Sequence, residues 1–268
     1  MYTLLIQIPQ YLKTDGVNQI VIDSWAKKKL REGYLQIPTT KILINVGVEV
    51  SKLNIKQIRL VPKNGFIAIE FIHEVPDIQP KTDNKRYMSI DLGINNLCSC
   101  SSNVISSFII NGKPVKTINQ YYNKQVAKYK SICETVNHCK TSKRIQRLNY
   151  KRTNKIEDYF HKVSRYIVNQ LVSNNINTLV IGHNNYWKQD TKLGKKTNQN
   201  FIQIPFNKLI QMLSYKCKLL GINCVIQEES YTSKASFIDN DYIPVFNSTT
   251  ELNYKFSGQR VKRGLYCS

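Results

Sequence analysis

Short alternations of apolar and polar residues fill the first third of the chain. Residues 35–38, 41–46, 55–61 and 66–72 each follow the two-residue period of a half-buried strand, and Pro62-Lys63-Asn64-Gly65 supplies a hairpin turn between the last two. Residues 18–32 predict one short helix. The pattern gives a β-rich module over residues 1–80, a small barrel or sheet with few strands at its start. Residues 76–84 carry two prolines and several charges and predict a linker to a second domain over 85–268.

Beyond the linker the period changes. Tyr87-Met88-Ser89-Ile90-Asp91-Leu92-Gly93 reads as a buried strand with one carboxylate where it ends and a glycine that lets the backbone turn at once. Residues 97–104 and 106–110 predict two more short strands and hence an antiparallel meander. Helical spacing then takes over at 118–132 and 143–172, where Ile145, Leu148, Ile156, Phe160, Val163, Ile167 and Leu171 recur at threes and fours. A strand at 178–181 follows, then a helix opened by Pro205 and ended by Gly221, then a strand at 223–227. Three strands, helix, strand, helix, strand is the order of an α/β RNase H-like core, a mixed sheet with flanking helices.

Composition narrows the partners. At 268 residues and 41% hydrophobic content the chain can bury a real core. No run approaches the ~18 apolar residues of a membrane span. The start, Met1-Tyr2-Thr3-Leu4-Leu5, lacks the basic and long apolar regions of a signal peptide, so the chain reads as cytoplasmic. Seven cysteines then predict free thiols serving as small buried hydrophobes. Cys98 and Cys100 form no C-x-x-C pair, and nothing completes a four-ligand set around Cys133, His138 and Cys139, so no zinc is expected.

Charge points to nucleic acid. Lys and Arg outnumber Asp and Glu by 39 to 18, a formal net charge of +21. With no amphipathic anchor or lipidation motif, a membrane surface is the weaker partner. No protein partner is evident. Arg144, Arg147, Lys151, Lys155 and Lys162 fall at intervals of three, four, four and seven and form one stripe along the second helix. Such a run is commonly a solvated face. Few acids offset this one, and phosphate contact would relieve the repulsion.

Three readings compete for Asp91. It is a metal ligand in a nuclease core, the phosphate loop of an actin-like ATPase, or the cap of a turn that Gly93 completes. An isolated D-x-G is most often the last.

Several motifs in order carry a resemblance. Ser89-Ile90-Asp91-Leu92-Gly93-Ile94-Asn95-Asn96-Leu97 resembles the first RuvC motif of the TnpB (OrfB) proteins, transposon-encoded relatives of Fanzors and type V CRISPR effectors. Trp187-Lys188-Gln189, Leu193-Gly194-Lys195-Lys196, Ile204-Pro205-Phe206 and Glu229-Ser230-Tyr231-Thr232-Ser233-Lys234 continue it, so that it covers most of the chain from about Leu35 onward. The resemblance implies RNA-guided DNA cleavage by a RuvC nuclease domain, preceded by a partial oligonucleotide-binding, wedge-like barrel. Guide RNA and DNA are the implied partners, and Lys188, Lys195, Lys196 and Trp187, which either stacks on a base or is buried against the next helix, join Arg144, Arg147, Lys151 and Lys155 as candidate nucleic-acid-binding residues.

The departures are as informative. Gly182 stands where the family's second catalytic Glu ends its strand, and Glu229 matches the substitute Glu that a subset carries before Tyr-Thr-Ser, with Glu228 as fallback because neighbouring strand residues point to opposite faces. Ala235-Ser236-Phe237 lies where a zinc-ribbon cysteine would begin. The family's third carboxylate, an Asp in a D-x-N context, falls beyond Ser268, and the family's first strands are hard to find, so a shortened chain is expected. Asp91 and Glu229 are the expected catalytic and metal-binding pair for Mg²⁺ or Mn²⁺. With the third Asp missing, the other expectation is a chain that binds guide RNA and DNA without cutting.

Overall fold

A computed structural model describes residues 18–23, 30–63, 66–136, 138–184, 199, 201–232, 234–244, 255–262 and 265–267. They fall into two units, Met1–Asp77 with Tyr129–Tyr150, and Ile78–Lys128 with Lys151–Ser268.

The first unit holds strands β1 (Ile20–Ile22), β2 (Leu30–Arg31), β3 (Tyr34–Gln36) and β4 (Leu43–Asn45), a single helical turn α1 (Val48–Ser51), and the hairpin β5 (Ile55–Lys63) and β6 (Phe66–His73). Two three-stranded antiparallel sheets result, β1-β5-β6 and β2-β3-β4. Within 18–32, residues 20–22 and 30–31 form β1 and β2, and residues 24–29, the stretch left for the expected short helix, lie outside the described residues. Ile20-Val21-Ile22 is a β-branched run, and it completes the edge of β5 through the pairs Ile20–Leu60 and Ile22–Ile58. The last hairpin pair, Lys63–Phe66, fixes a two-residue connection whose Asn64 and Gly65 lie outside the described residues. Ile22, Leu35, Ile55 and Ile58 form the buried centre, with Val46, Val50, Ile69 and Phe71 packed on it.

In the second unit β7 (Tyr87–Leu92), β8 (Asn96–Ser102) and β9 (Phe108–Asn111) make the expected meander. Helices α2 (Lys113–Val136) and α3 (Lys143–Ser173) follow, each crossing the boundary between units. Then come β10 (Thr178–Gly182), α4 (Phe206–Lys218), β11 (Asn223–Gln227) and a hairpin of β12 (Gln259–Lys262) and β13 (Leu265–Cys267). The sheet order is β11-β10-β7-β8-β9, with β10 parallel to both β7 and β11.

One face of this mixed sheet carries Met88, Ile90, Leu92, Cys98, Cys100, Leu179 and Ile181. They are buried in a single cluster with Ile156, Phe160, Val163, Ile167 and Leu171 of α3 and Leu209, Ile210, Leu213 and Cys217 of α4. Each such side chain contributes about 1.5–3 kcal/mol by leaving water. Polar clamps set the helices. Arg152 donates to Asn119 Oδ1 at 2.6 Å and to the Gln203 carbonyl at 2.8 Å, and the Asn123 and Gln203 amides exchange hydrogen bonds at 2.9 and 2.8 Å.

The segment expected as a free linker is strapped down along its second half. Lys81 N–H donates to the Gly221 carbonyl at 2.8 Å, Asn177 donates to the Thr82 carbonyl at 2.8 Å, and Asn84 donates to the Asn175 carbonyl at 2.7 Å. All seven cysteines are free, and Cys98, Cys100, Cys133 and Cys217 are buried. No helix among the described residues is long and apolar enough to cross a membrane.

Candidate active site

The alternation of β7 decides where Asp91 points. Met88, Ile90 and Leu92 go into the core, so Tyr87, Ser89 and Asp91 face the other way. Asp91 sits opposite Ser99 of β8. On its other side the parallel register with β10 ends at the pair Ile181–Ile90, which brings Gly182 alongside Asp91. Gly93 closes the turn into β8 with a 3.3 Å hydrogen bond to the Leu97 carbonyl. A Cβ there would come 2.7 Å from the Asn96 carbonyl oxygen, so no larger residue fits without a shift.

Glu229 arrives from β11. Pairing with β10 ends at Gly182–Gln227, after which His183 N–H still reaches the Gln227 carbonyl at 2.9 Å. The chain then turns. Glu229 N–H donates to Asn184 Oδ1 at 2.6 Å, the Thr232 hydroxyl donates to the Glu229 carbonyl at 2.8 Å, and Tyr231 takes a φ of 65°. This folds the Glu229 side chain over Gly182. A Cβ at position 182 would lie 2.6 Å from Glu229 Cγ and closer still to its carboxyl group. The carboxylate therefore occupies the volume that a side chain at 182 would take. Glu228, by contrast, is exposed and accepts a 2.7 Å hydrogen bond from the Ser230 hydroxyl.

Both carboxyl groups are electrostatically loaded. Burial, and then the nearby Asp91 charge, push Glu229 up to about 7. Loss of water also raises Asp91 above the ordinary carboxylate range. Two hard oxygen donors that repel each other suit a Mg²⁺ or Mn²⁺ ion, which would relieve that repulsion. Among the described residues no group of three His, Cys, Asp or Glu side chains could hold a metal ion. Asp239 and Asp241 are turn acids: Asp241 accepts the Ser236 N–H at 2.7 Å and the Ser257 N–H at 3.2 Å, and Asp239 accepts from the Ser236 hydroxyl.

Known proteins can now be set beside this geometry. Residues 70–188, which include Asp91 and Gly182, match the sequence model of the OrfB (IS605) family, described as a probable transposase. A TnpB-like protein of Methanocaldococcus jannaschii is 24% identical over 162 residues, covering 59% of this chain. Both comparisons make this chain similar to TnpB/OrfB proteins over part of its length. The chain spans 57% of the length of that relative. A solved Cas12f1–sgRNA–target DNA complex is similar in fold, with a TM-score of 0.52 and 16% identity, over 74% of this chain and 41% of that one.

The basic stripe of this chain runs along α3. Arg144, Arg147, Lys151, Lys155 and Lys162 are all exposed. Arg144 also covers the Tyr129 ring at 4.4 Å, and Lys162 pairs with Asp158 at 2.7 Å, so one acid does offset the stripe. Trp187, Lys188, Lys195 and Lys196 lie outside the described residues. Sequence reasoning missed Asn184, whose only signal was an amide side chain two residues after a strand end.

Proposed function

We propose that this chain carries the core of an RNA-guided DNA endonuclease, with divalent-metal-dependent phosphodiester hydrolysis at Asp91 and Glu229. In this reading residues 85–268 are a RuvC-like, RNase H-fold nuclease domain, residues 1–80 are a partial oligonucleotide-binding barrel, and the protein works in the cytoplasm. The observation that carries it is the Glu229 carboxylate, folded into the space over Gly182 within reach of the Asp91 charge. A strand-end carboxylate delivered from a neighbouring strand supplies the second ligand that Gly182 cannot.

Asp91 and Glu229 would hold Mg²⁺ or Mn²⁺, which when bound supplies water activation and charge stabilisation at the leaving oxygen. The chain's own residues do the rest. Glu229 must lose its proton to become a ligand, and its raised pKa makes that a step near neutral pH. The exposed cations of α3 neutralise phosphates of the guide RNA, and base pairing by the guide supplies sequence selection. Asp91→Ala should abolish Mg²⁺-dependent cleavage of guided DNA while leaving RNA binding within about twofold, since Asp91 neutralises no phosphate. Loss of both would assign Asp91 to structure.

A second reading has its own observation. Among the described residues no third acidic group joins the pair. A chain that keeps the basic helix could hold guide RNA and DNA without cutting. Wild-type protein that binds guided target but leaves it intact in both Mg²⁺ and Mn²⁺ would select this reading.

A further inference from the structure

The turn that delivers Glu229 starts from a substituted hydrogen bond. In the parallel ladder of β10 and β11 an amide and the carbonyl of the same residue go to positions two apart on the partner strand. His183 donates to the Gln227 carbonyl, so the amide due back to the His183 carbonyl is that of Glu229. That amide goes instead to the side-chain oxygen of Asn184, at 2.6 Å. Asparagine side chains compete with regular structure in this way, because they offer the backbone an acceptor off the ladder line. Here the competition ends the register at Gly182–Gln227 and sends the chain into the turn closed by Thr232.

We infer that Asn184 is a positioning residue, whose side-chain oxygen holds the Glu229 amide so that the Glu229 carboxylate lies over Gly182 beside Asp91. This rests on the reading of Asp91 and Glu229 as the metal-binding pair. Asn184 is half-buried just past the strand that bears Gly182, so one short segment both vacates the space and anchors the residue that fills it. The hydrogen bond requires an acceptor and no donor. Asparagine and aspartate satisfy it, and alanine does not.

The test is calorimetric titration of the full chain with Mn²⁺ alone. Asn184→Ala should weaken Mn²⁺ binding about tenfold, the lower end for residues that orient a metal ligand. In a chain already carrying Glu229→Gln, the same change should alter binding less than about twofold, because its effect passes through Glu229. Asn184→Asp keeps the acceptor and should bind Mn²⁺ at least as tightly as wild type. An equal loss from Asn184→Ala in both backgrounds, no loss in either, or a loss in Asn184→Asp matching that of alanine overturns the inference. A Glu229→Gln chain with unchanged Mn²⁺ affinity fails differently, since it removes the underlying assignment of the site.

Discussion

A glycine at position 182 leaves β10 without a last side chain and gives Glu229 somewhere to place a carboxylate. The two positions compete for one volume, so Gly182→Ala should displace Glu229 and weaken Mn²⁺ binding by about tenfold. Gly182→Glu combined with Glu229→Ala should restore it, and a swap that stays as weak as Glu229→Ala alone would show that the two positions do not share the space. The pKa of Glu229 sets a second expectation. It lies at about 7 in the fold against an ordinary 4.5, so the metal-free native state holds the proton more tightly than the unfolded chain does. Its contribution to stability is complete below about pH 4.5 and is lost as pH rises through about 7. Metal-free wild type should therefore lose more of its urea midpoint between about pH 5 and pH 8 than Glu229→Gln, and equal losses would contradict a raised pKa. Asp91, Gly182 and Glu229 were legible in the sequence because each is a departure or a match within a short motif. Asn184 was not, because its significance lies in a hydrogen bond to a residue 45 positions away.

At the scale of elements, periodicity did most of its work on α3. Its apolar residues from Ile156 to Leu171 lie buried in the sheet-facing cluster and its basic stripe faces solvent, as spacing of three and four requires. Charge counting alone overstates the free basic face. Arg152 lies roughly 80° around the helix from Arg144 at about 100° per residue and is spent on Asn119 and Gln203. Lys216 of α4 is buried, donating to the His161 carbonyl at 3.0 Å and the Ser164 hydroxyl at 2.6 Å. Changing Arg147 and Lys151 together to Glu should weaken RNA binding and lower the log–log salt slope by about 2, one for each phosphate no longer neutralised. A slope that does not move would make these side chains a solvated face. The strands at 18–32 escaped the sequence reading because so short a run is too brief for a period to register. β1 exists through its partner β5.

For the molecule as a whole, a net charge of +21 favours a polyanionic partner, and the strand order β11-β10-β7-β8-β9 places the end of β10 beside Asp91 with β11 one strand further on. The order of elements from β7 to β11 followed from the sequence, since strands and helices announce themselves by period and turn chemistry. The strap at residues 81–86 did not, because prolines and charges read alike in a free linker and in a segment tied by amide side chains to another loop. The central claim is that two carboxylates from separate strands form one cation site. Its most direct measurement is Mn²⁺ affinity of the full chain beside Asp91→Asn and Glu229→Gln, at about pH 8, above the Glu229 pKa of about 7. The account predicts that each substitution weakens binding at least about tenfold, and that the double substitution loses less than the sum of the two because they serve the same ion. Binding unchanged in both single variants, or strictly additive losses, would contradict a shared site.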